Sequence, residues 1–148
     1  MSGRRALRIV LQTLLGVIIL GSGVGKALDL HGFVVVLETY RAVPSPLLWP
    51  IAIGVTALEI VLGAWLFTGH RLKIMAMASI AMNAGYAIWM TISLLRGLDL
   101  KNCGCFGIFF ARPLTWQSPV EDLVMIALSV ALLALSNPAR EQTREVPA

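Results

Sequence analysis

LLWPIAIGVTALEIVLGAWLFTG, residues 47–69, contains a single ionisable side chain, Glu59. A helix that crosses a bilayer needs about 20 predominantly apolar residues. This stretch meets that length and has no polar face to turn towards water, so it reads as a membrane span. Two neighbours read the same way. Ile9–Gly25 is uncharged, and Ile74–Leu95 is uncharged with Asn83 near its middle.

The fourth span is less obvious, because the uncharged run Leu123–Asn137 is short. Its start carries helix signals. Ser118 suits an N-cap, Pro119 the first helical position, and Glu121 completes a capping box. Glu121 and Asp122 would lie in the first turn, where the helix dipole favours acids. Pro138 marks the stop. The spacing therefore predicts a helix from Ser118 that is long enough to cross.

Composition agrees. Of 148 residues, 57% are hydrophobic and 14% charged, and the mean hydropathy is +0.81. Soluble domains have roughly 25% charged residues, and a water-soluble domain this small could not hide so much apolar surface. The fold class expected is all-α: an integral membrane four-helix bundle with a Cys-x-Cys loop between helices 3 and 4. Residues 1–138 form the transmembrane domain, and 139–148 form a polar C-terminal tail. Arg4, Arg5 and Arg8 before the first span resemble a signal-peptide n-region. The apolar run that follows exceeds the usual 7–15 residues and no A-x-A site follows it, so the helix reads as retained.

The net charge is +4. The charges sit in short clusters between apolar runs rather than in a stripe, which excludes nucleic acid as a partner and leaves the lipid bilayer. Cytoplasmic loops of membrane proteins are enriched in Lys and Arg. Arg4, Arg5, Arg8, Arg71, Lys73, Arg140 and Arg144 fall on one side, seven in all, against five on the other: Lys26, Arg41, Arg96, Lys101 and Arg112. The bias predicts both termini in the cytoplasm and the 96–117 loop outside, in a bacterial plasma membrane.

The chain has two cysteines, in Asn102-Cys103-Gly104-Cys105-Phe106-Gly107, within that outer loop. Thiols on the oxidising side tend to pair. A bridge across one intervening residue closes too small a ring to stabilise much, and strained or exposed bridges are the labile ones. The spacing favours a redox-active dithiol. Unpaired inert thiols, or half of a metal site shared with another chain, are the alternatives. Cysteines alone do not supply four zinc ligands, and His31 and His70 fall on opposite faces, so no metal site is assigned.

Glu59 is the second candidate, because a carboxylate inside a span is costly and functional by default. Its role is either proton handling or interhelical hydrogen bonding to Asn83, Ser22 or Ser79. Lys26 and Asp29, at i and i+3, can pair on one helix face. With Tyr40 and Arg41 they would line a polar mouth towards the cysteines; alternatively, Lys26 snorkels to the headgroups. Lys101 stands close enough in sequence to favour a thiolate. Gly16, Gly21, Gly23 and Gly25 are placed as small residues that allow close helix approach, and Gly21 and Gly25 match a G-x-x-x-G helix-contact pattern. Trp49, Trp65, Trp89 and Trp116 are placed as interfacial anchors.

These residues carry a resemblance. Gly23-Val24-Gly25-Lys26-Ala27-Leu28-Asp29 ends the first span, followed by Tyr40, Pro44 and Glu59-x-x-x-Gly63, and then by Asn102-Cys103-Gly104-Cys105-Phe106-Gly107. From about Leu7 to Leu135 the chain resembles the DoxX-like superfamily of four-helix membrane proteins, and within it the methylamine-utilisation MauE branch. The resemblance implies a redox-associated inner-membrane protein whose redox pair is Cys103 and Cys105. MauE is linked to maturation of the disulfide-rich small subunit of periplasmic methylamine dehydrogenase. Other members accompany thioredoxin-like proteins or quinone-linked sulfur oxidation.

The expectation is a thiol–disulfide oxidoreductase acting on a periplasmic thioredoxin-like or disulfide-containing protein. A membrane quinone is its candidate cofactor, and Glu59 a candidate for handling protons. The rivals are a non-catalytic membrane anchor of a periplasmic redox enzyme, and a metal- or solute-handling membrane protein.

Overall fold

Apolar runs of bilayer length become helices because lipid offers backbone groups no hydrogen-bond partners. The computed structural model describes residues 3–136. It contains α1 (Gly3–Leu28), α2 (Leu30–Thr39), α3 (Ser45–Thr68), α4 (Leu72–Leu95) and α5 (Gln117–Leu135). Among the described residues, α1, α3, α4 and α5 are four helices long and apolar enough to cross a membrane. The four-span architecture expected from the sequence is the one observed. The cysteines lie in the loop between the third and fourth spans, α4 and α5. The 139–148 tail and the Pro138 stop lie outside the described residues.

The short helix α2 was not expected. It occupies a stretch read as an outer loop, being too short to span. Asp29 caps it, its carboxylate accepting from Gly32 N at 2.7 Å, and Phe33, Val34 and Val36 are buried. Asp29 therefore serves α2 and is not the partner of Lys26. The start of α5 also differs from expectation. Helix begins at Gln117, and no side chain caps it. Ser118 is buried within the first turn, while Glu121 binds the Arg112 guanidinium through both oxygens. A bidentate charge-assisted pair outcompetes a capping bond to the backbone.

The spans pack as two pairs, α1 along α3 and α4 along α5, while α3 and α4 touch little. Small residues let α1 and α3 approach. Of the four glycines expected on α1, Gly16 and Gly23 make this approach, met by Gly63 on α3; Gly25 instead meets the cysteine loop, and Gly21 makes no contact. A Cβ at Gly21 would meet nothing, whereas one at Gly63 would stand 2.5 Å from Leu20 N. Gly63→Ala is expected to separate the pair and cost about 1–3 kcal/mol, the usual range for overpacking. Thermal unfolding of the purified protein would show it, with Gly21→Ala as the silent control. In the other pair, Ser79 and Ser129 share a hydrogen bond of 2.9 Å.

Leu11, Leu15, Ile19, Leu62, Leu66, Leu72, Ala76 and Leu132 form the core at the end of the bundle away from the cysteines. Val36, Tyr40, Met90, Leu100, Cys103 and Leu114 form a second core beneath the cysteine loop. Trp49, Trp65 and Trp116 are exposed, as interfacial anchors should be, whereas Trp89 packs on Tyr40 with ring centroids 5.6 Å apart.

Candidate functional site

The loop between α4 and α5 is shaped by its own backbone. Leu114 N donates to Leu100 O at 2.9 Å and Cys103 N to Arg112 O at 2.8 Å. Asn102 closes the tip, its Oδ1 accepting from Gly104 N at 2.8 Å and its Nδ2 donating to Gly107 O at 3.2 Å. Gly104 and Gly107 take φ of +78° and +70°, which L side chains rarely adopt. The loop also lies directly on the end of α1. A Cβ at Gly25 would come within 2.6 Å of Phe106 O, and one at Gly107 within 2.6 Å of Gly25 O. Glycines on both sides thus allow backbone to rest on backbone, and this contact brings Lys26 under Cys105.

Lys26 and Glu59 are 3% and 1% exposed and form an ion pair of 2.7 Å inside the bundle. The ammonium donates to both Glu59 oxygens, at 2.8 and 2.7 Å, to Ser22 Oγ at 2.7 Å and to Cys105 O at 2.8 Å. Tyr86 donates its hydroxyl to Glu59 Oε1 at 2.6 Å. Lys26 Nζ also lies 5.4 Å from the Phe33 ring centroid and 5.8 Å from that of Tyr86. Every lone proton and charge in this cluster has a partner, which a buried pair needs to offset its desolvation.

The network departs from the sequence reading at Lys26 and Lys101 and agrees with one of its alternatives at Glu59. Lys26 does not snorkel: α2 and the loop cover it, and Glu59 on the neighbouring helix holds it. Glu59 binds Ser22, one of three expected partners, at 3.1 Å. Asn83 instead donates to Ser79 O at 2.8 Å, one turn back on its own helix. Lys101 is exposed and stands with Arg41 and Asp99 beside a separate shallow hollow. Arg112 is the cation that acts on Cys103.

Cys103 is buried and Cys105 half-buried, both as free thiols, with sulfurs 2.6 Å apart. The hydrogen bond from Cys105 holds the Cys103 thiol down to about 6, helped by backbone donors and Arg112 and opposed by burial. The Cys105 thiol is pushed up, first because its proton is held in the bond to Cys103 and then by burial. One sulfur is thus set to be the thiolate and the other to keep its proton. Tyr40 donates to Cys103 O at 2.7 Å. Burial, and then the nearby thiols, raise its pKa, so it stays a neutral donor. Arg112→Gln should move the pH midpoint of Cys103 alkylation upward, measured by mass-resolved labelling. An unchanged midpoint would show that Arg112 does not act on that sulfur.

Sequence reasoning missed Tyr86, Arg112 and Asp122 as members of this site. A lone phenol within a span needs a hydrogen-bond partner, a signal that was available for Tyr86. Arg112 had been counted only as a flanking charge and Asp122 only as a first-turn acid. Asp122 Oδ2 is buried without a hydrogen-bond partner. It lines a cavity of about 770 Å³ that also borders Cys103, Cys105, Glu59 and Tyr86. Among the described residues no three His, Cys, Asp or Glu side chains converge as metal ligands would.

A family model described as Methylamine utilisation protein MauE matches residues 4–135, which include all four spans and the cysteine loop. The chain belongs to the MauE family. The methylamine utilization protein MauE of Paracoccus denitrificans is 24% identical to this MauE-family chain over 122 residues, 82% of the chain and 66% of that protein. The matched stretch thus spans slightly less than two thirds of that relative's length. No solved structure matches. The bundle described above, with a Lys26–Glu59 pair beneath a Cys103–Cys105 loop, is therefore a structural account of a MauE-family membrane protein.

Proposed function

We propose that this MauE-family protein is a membrane thiol–disulfide relay that oxidises an extracytoplasmic protein through Cys103 and Cys105. The observation that carries the reading is the pair of sulfurs 2.6 Å apart, in a loop whose Cys105 carbonyl is held by the buried Lys26. Lower-pKa thiols leave faster in thiol–disulfide exchange. With the pair oxidised, a partner thiolate attacks Cys105, the more exposed sulfur. The Cys103–Cys105 bond breaks, a mixed disulfide forms, and Cys103 departs as the thiolate. A second partner thiolate then attacks the partner sulfur of the mixed disulfide. The partner leaves with its own disulfide, and Cys105 takes up a proton.

Lys26 and Ser22, on the Cys105 carbonyl, and Tyr40, on the Cys103 carbonyl, hold the loop while its covalent state changes. Their role is positioning. Charge supports placing the loop outside a bacterial plasma membrane with both termini in the cytoplasm. With Lys26 buried in the bundle, the flanking count becomes seven against four, steeper than the raw sequence suggests. The family's link to methylamine utilisation supports a disulfide-rich periplasmic protein of that pathway as the partner, or a thioredoxin-like protein serving it.

The test is a Cys103→Ser, Cys105→Ser double variant in the source cell, read by the thiol content of periplasmic proteins. Partner proteins should accumulate reduced. Normal partner oxidation with the double variant would overturn the relay and leave a non-catalytic membrane anchor.

A further inference from the structure

The relay needs its pair reoxidised after each turnover, and the bundle contains a space suited to that. The cavity of about 770 Å³ runs from the cysteine loop towards the middle of the spans, reaching Ile18 on α1 and Leu128 on α5. Its walls are apolar, and they follow the seam where α3 and α4 touch little. Ile51 and Leu58 on α3, and Ala81 and Gly85 on α4, line it while remaining exposed on the outer surface of the bundle. The seam is therefore a side entrance, and in a bilayer it faces hydrocarbon rather than water. A segment of a soluble partner would have to leave water to reach this depth, whereas a lipid-dissolved molecule would not.

The polar end narrows the ligand further. Cys103, Cys105, Glu59 and Tyr86 border it. The donors of Lys26, Tyr86 and Tyr40 are already committed to acceptors within the protein. The unmatched group is an acceptor: Asp122 Oδ2, buried with no partner. A ligand whose head gains hydroxyl donors when it is reduced would satisfy that oxygen. Trp89 lines the same wall and offers an aromatic face for a flat ring.

We infer that the cavity is a binding site for an isoprenoid-tailed quinone, entered between α3 and α4, which accepts the electrons of the Cys103–Cys105 dithiol. The inference rests on the relay reading and names where its electrons go. In the step, the S–H bond of Cys105 breaks and the S–S bond forms between its sulfur and the Cys103 thiolate. Two electrons and one proton leave the pair. The quinone takes both electrons, and its carbonyl oxygens gain two O–H bonds, one with the Cys105 proton and one with a proton drawn from water, into which Cys103 had released its own.

The test uses the full chain, purified and returned to phospholipid nanodiscs, with a short-tailed azido-benzoquinone as a photoactivatable probe. Labelled peptides should map to residues 51–58 and 81–89. Gly85→Trp should reduce labelling at least tenfold while leaving exchange of the Cys pair with glutathione disulfide within twofold of wild type. A Cβ at Gly85 meets nothing within 4 Å and the position is exposed at the seam, so a side chain can start from open space there and cover the entrance; the exchange rate with glutathione disulfide checks that the fold is kept. Labelling spread evenly over the lipid-facing helices and unchanged by Gly85→Trp would overturn the site while leaving the relay intact. A wild-type protein whose cysteines fail to exchange with glutathione disulfide would instead overturn the relay itself.

Discussion

Glu59→Ala is expected to destabilise the bundle by about 3–5 kcal/mol, the usual consequence of removing one partner from a buried ion pair. Lys26 is 3% exposed, and its ammonium is enclosed by Glu59, Ser22 and the Cys105 carbonyl. Without Glu59 its ammonium retains only Ser22 Oγ and the Cys105 carbonyl, both neutral acceptors. The variant should accumulate poorly in membranes and unfold at a markedly lower temperature when purified. Removing both charges together, as Lys26→Met with Glu59→Leu, should recover most of that stability, because well-packed apolar residues replace buried pairs at little cost. The double variant should still lose relay activity, since the Cys105 carbonyl no longer has its ammonium. An unaltered unfolding temperature for Glu59→Ala would contradict the buried pair.

The second large effect concerns the cysteines. With the Cys103 thiol held down to about 6, its thiolate fraction should rise about tenfold between pH 5 and pH 7 and then level off, since an acid's ionised fraction saturates above its pKa. An ordinary thiol near 8.5 would rise about a hundredfold over the same interval and keep rising to pH 9. Cys105, pushed the other way, should remain poorly reactive throughout. The hydrogen bond from Cys105 is the largest cause of the Cys103 shift, so Cys105→Ala should move the Cys103 profile upward towards the ordinary thiol. Iodoacetamide rates followed by mass spectrometry from pH 5 to 9 would show both. Equal rates at the two cysteines would contradict the division of roles.

The spans were legible because bilayer-length apolar runs have few structural alternatives. The cysteine loop was legible because its spacing is chemically unusual. Partnerships across the bundle were harder to read. Lys26 and Asp29 share a helix face in sequence, yet the chain turns at Asp29 to start α2, and Lys26 swings inward to a carboxylate 33 positions away. The sequence holds no marker for that reach. It depends on Gly23 meeting Glu59 and Ile60, and on Gly25 meeting Phe106, which are tertiary contacts. Arg112 was obscured in a similar way: it follows the cysteines by several residues, and only the backbone pairing of Cys103 with its carbonyl brings its charge back to the sulfur. The cavity between α3 and α4 follows from which helices pair, and hydropathy does not report pairing.

The most direct measurement of the central claim is thiol trapping of Cys103 and Cys105 in intact cells with a membrane-impermeant alkylator, with and without mild reductant. The account predicts labelling only after reductant, showing an easily reduced disulfide outside the membrane. Absence of labelling under both conditions, with both thiols reactive once the protein is denatured, would contradict it.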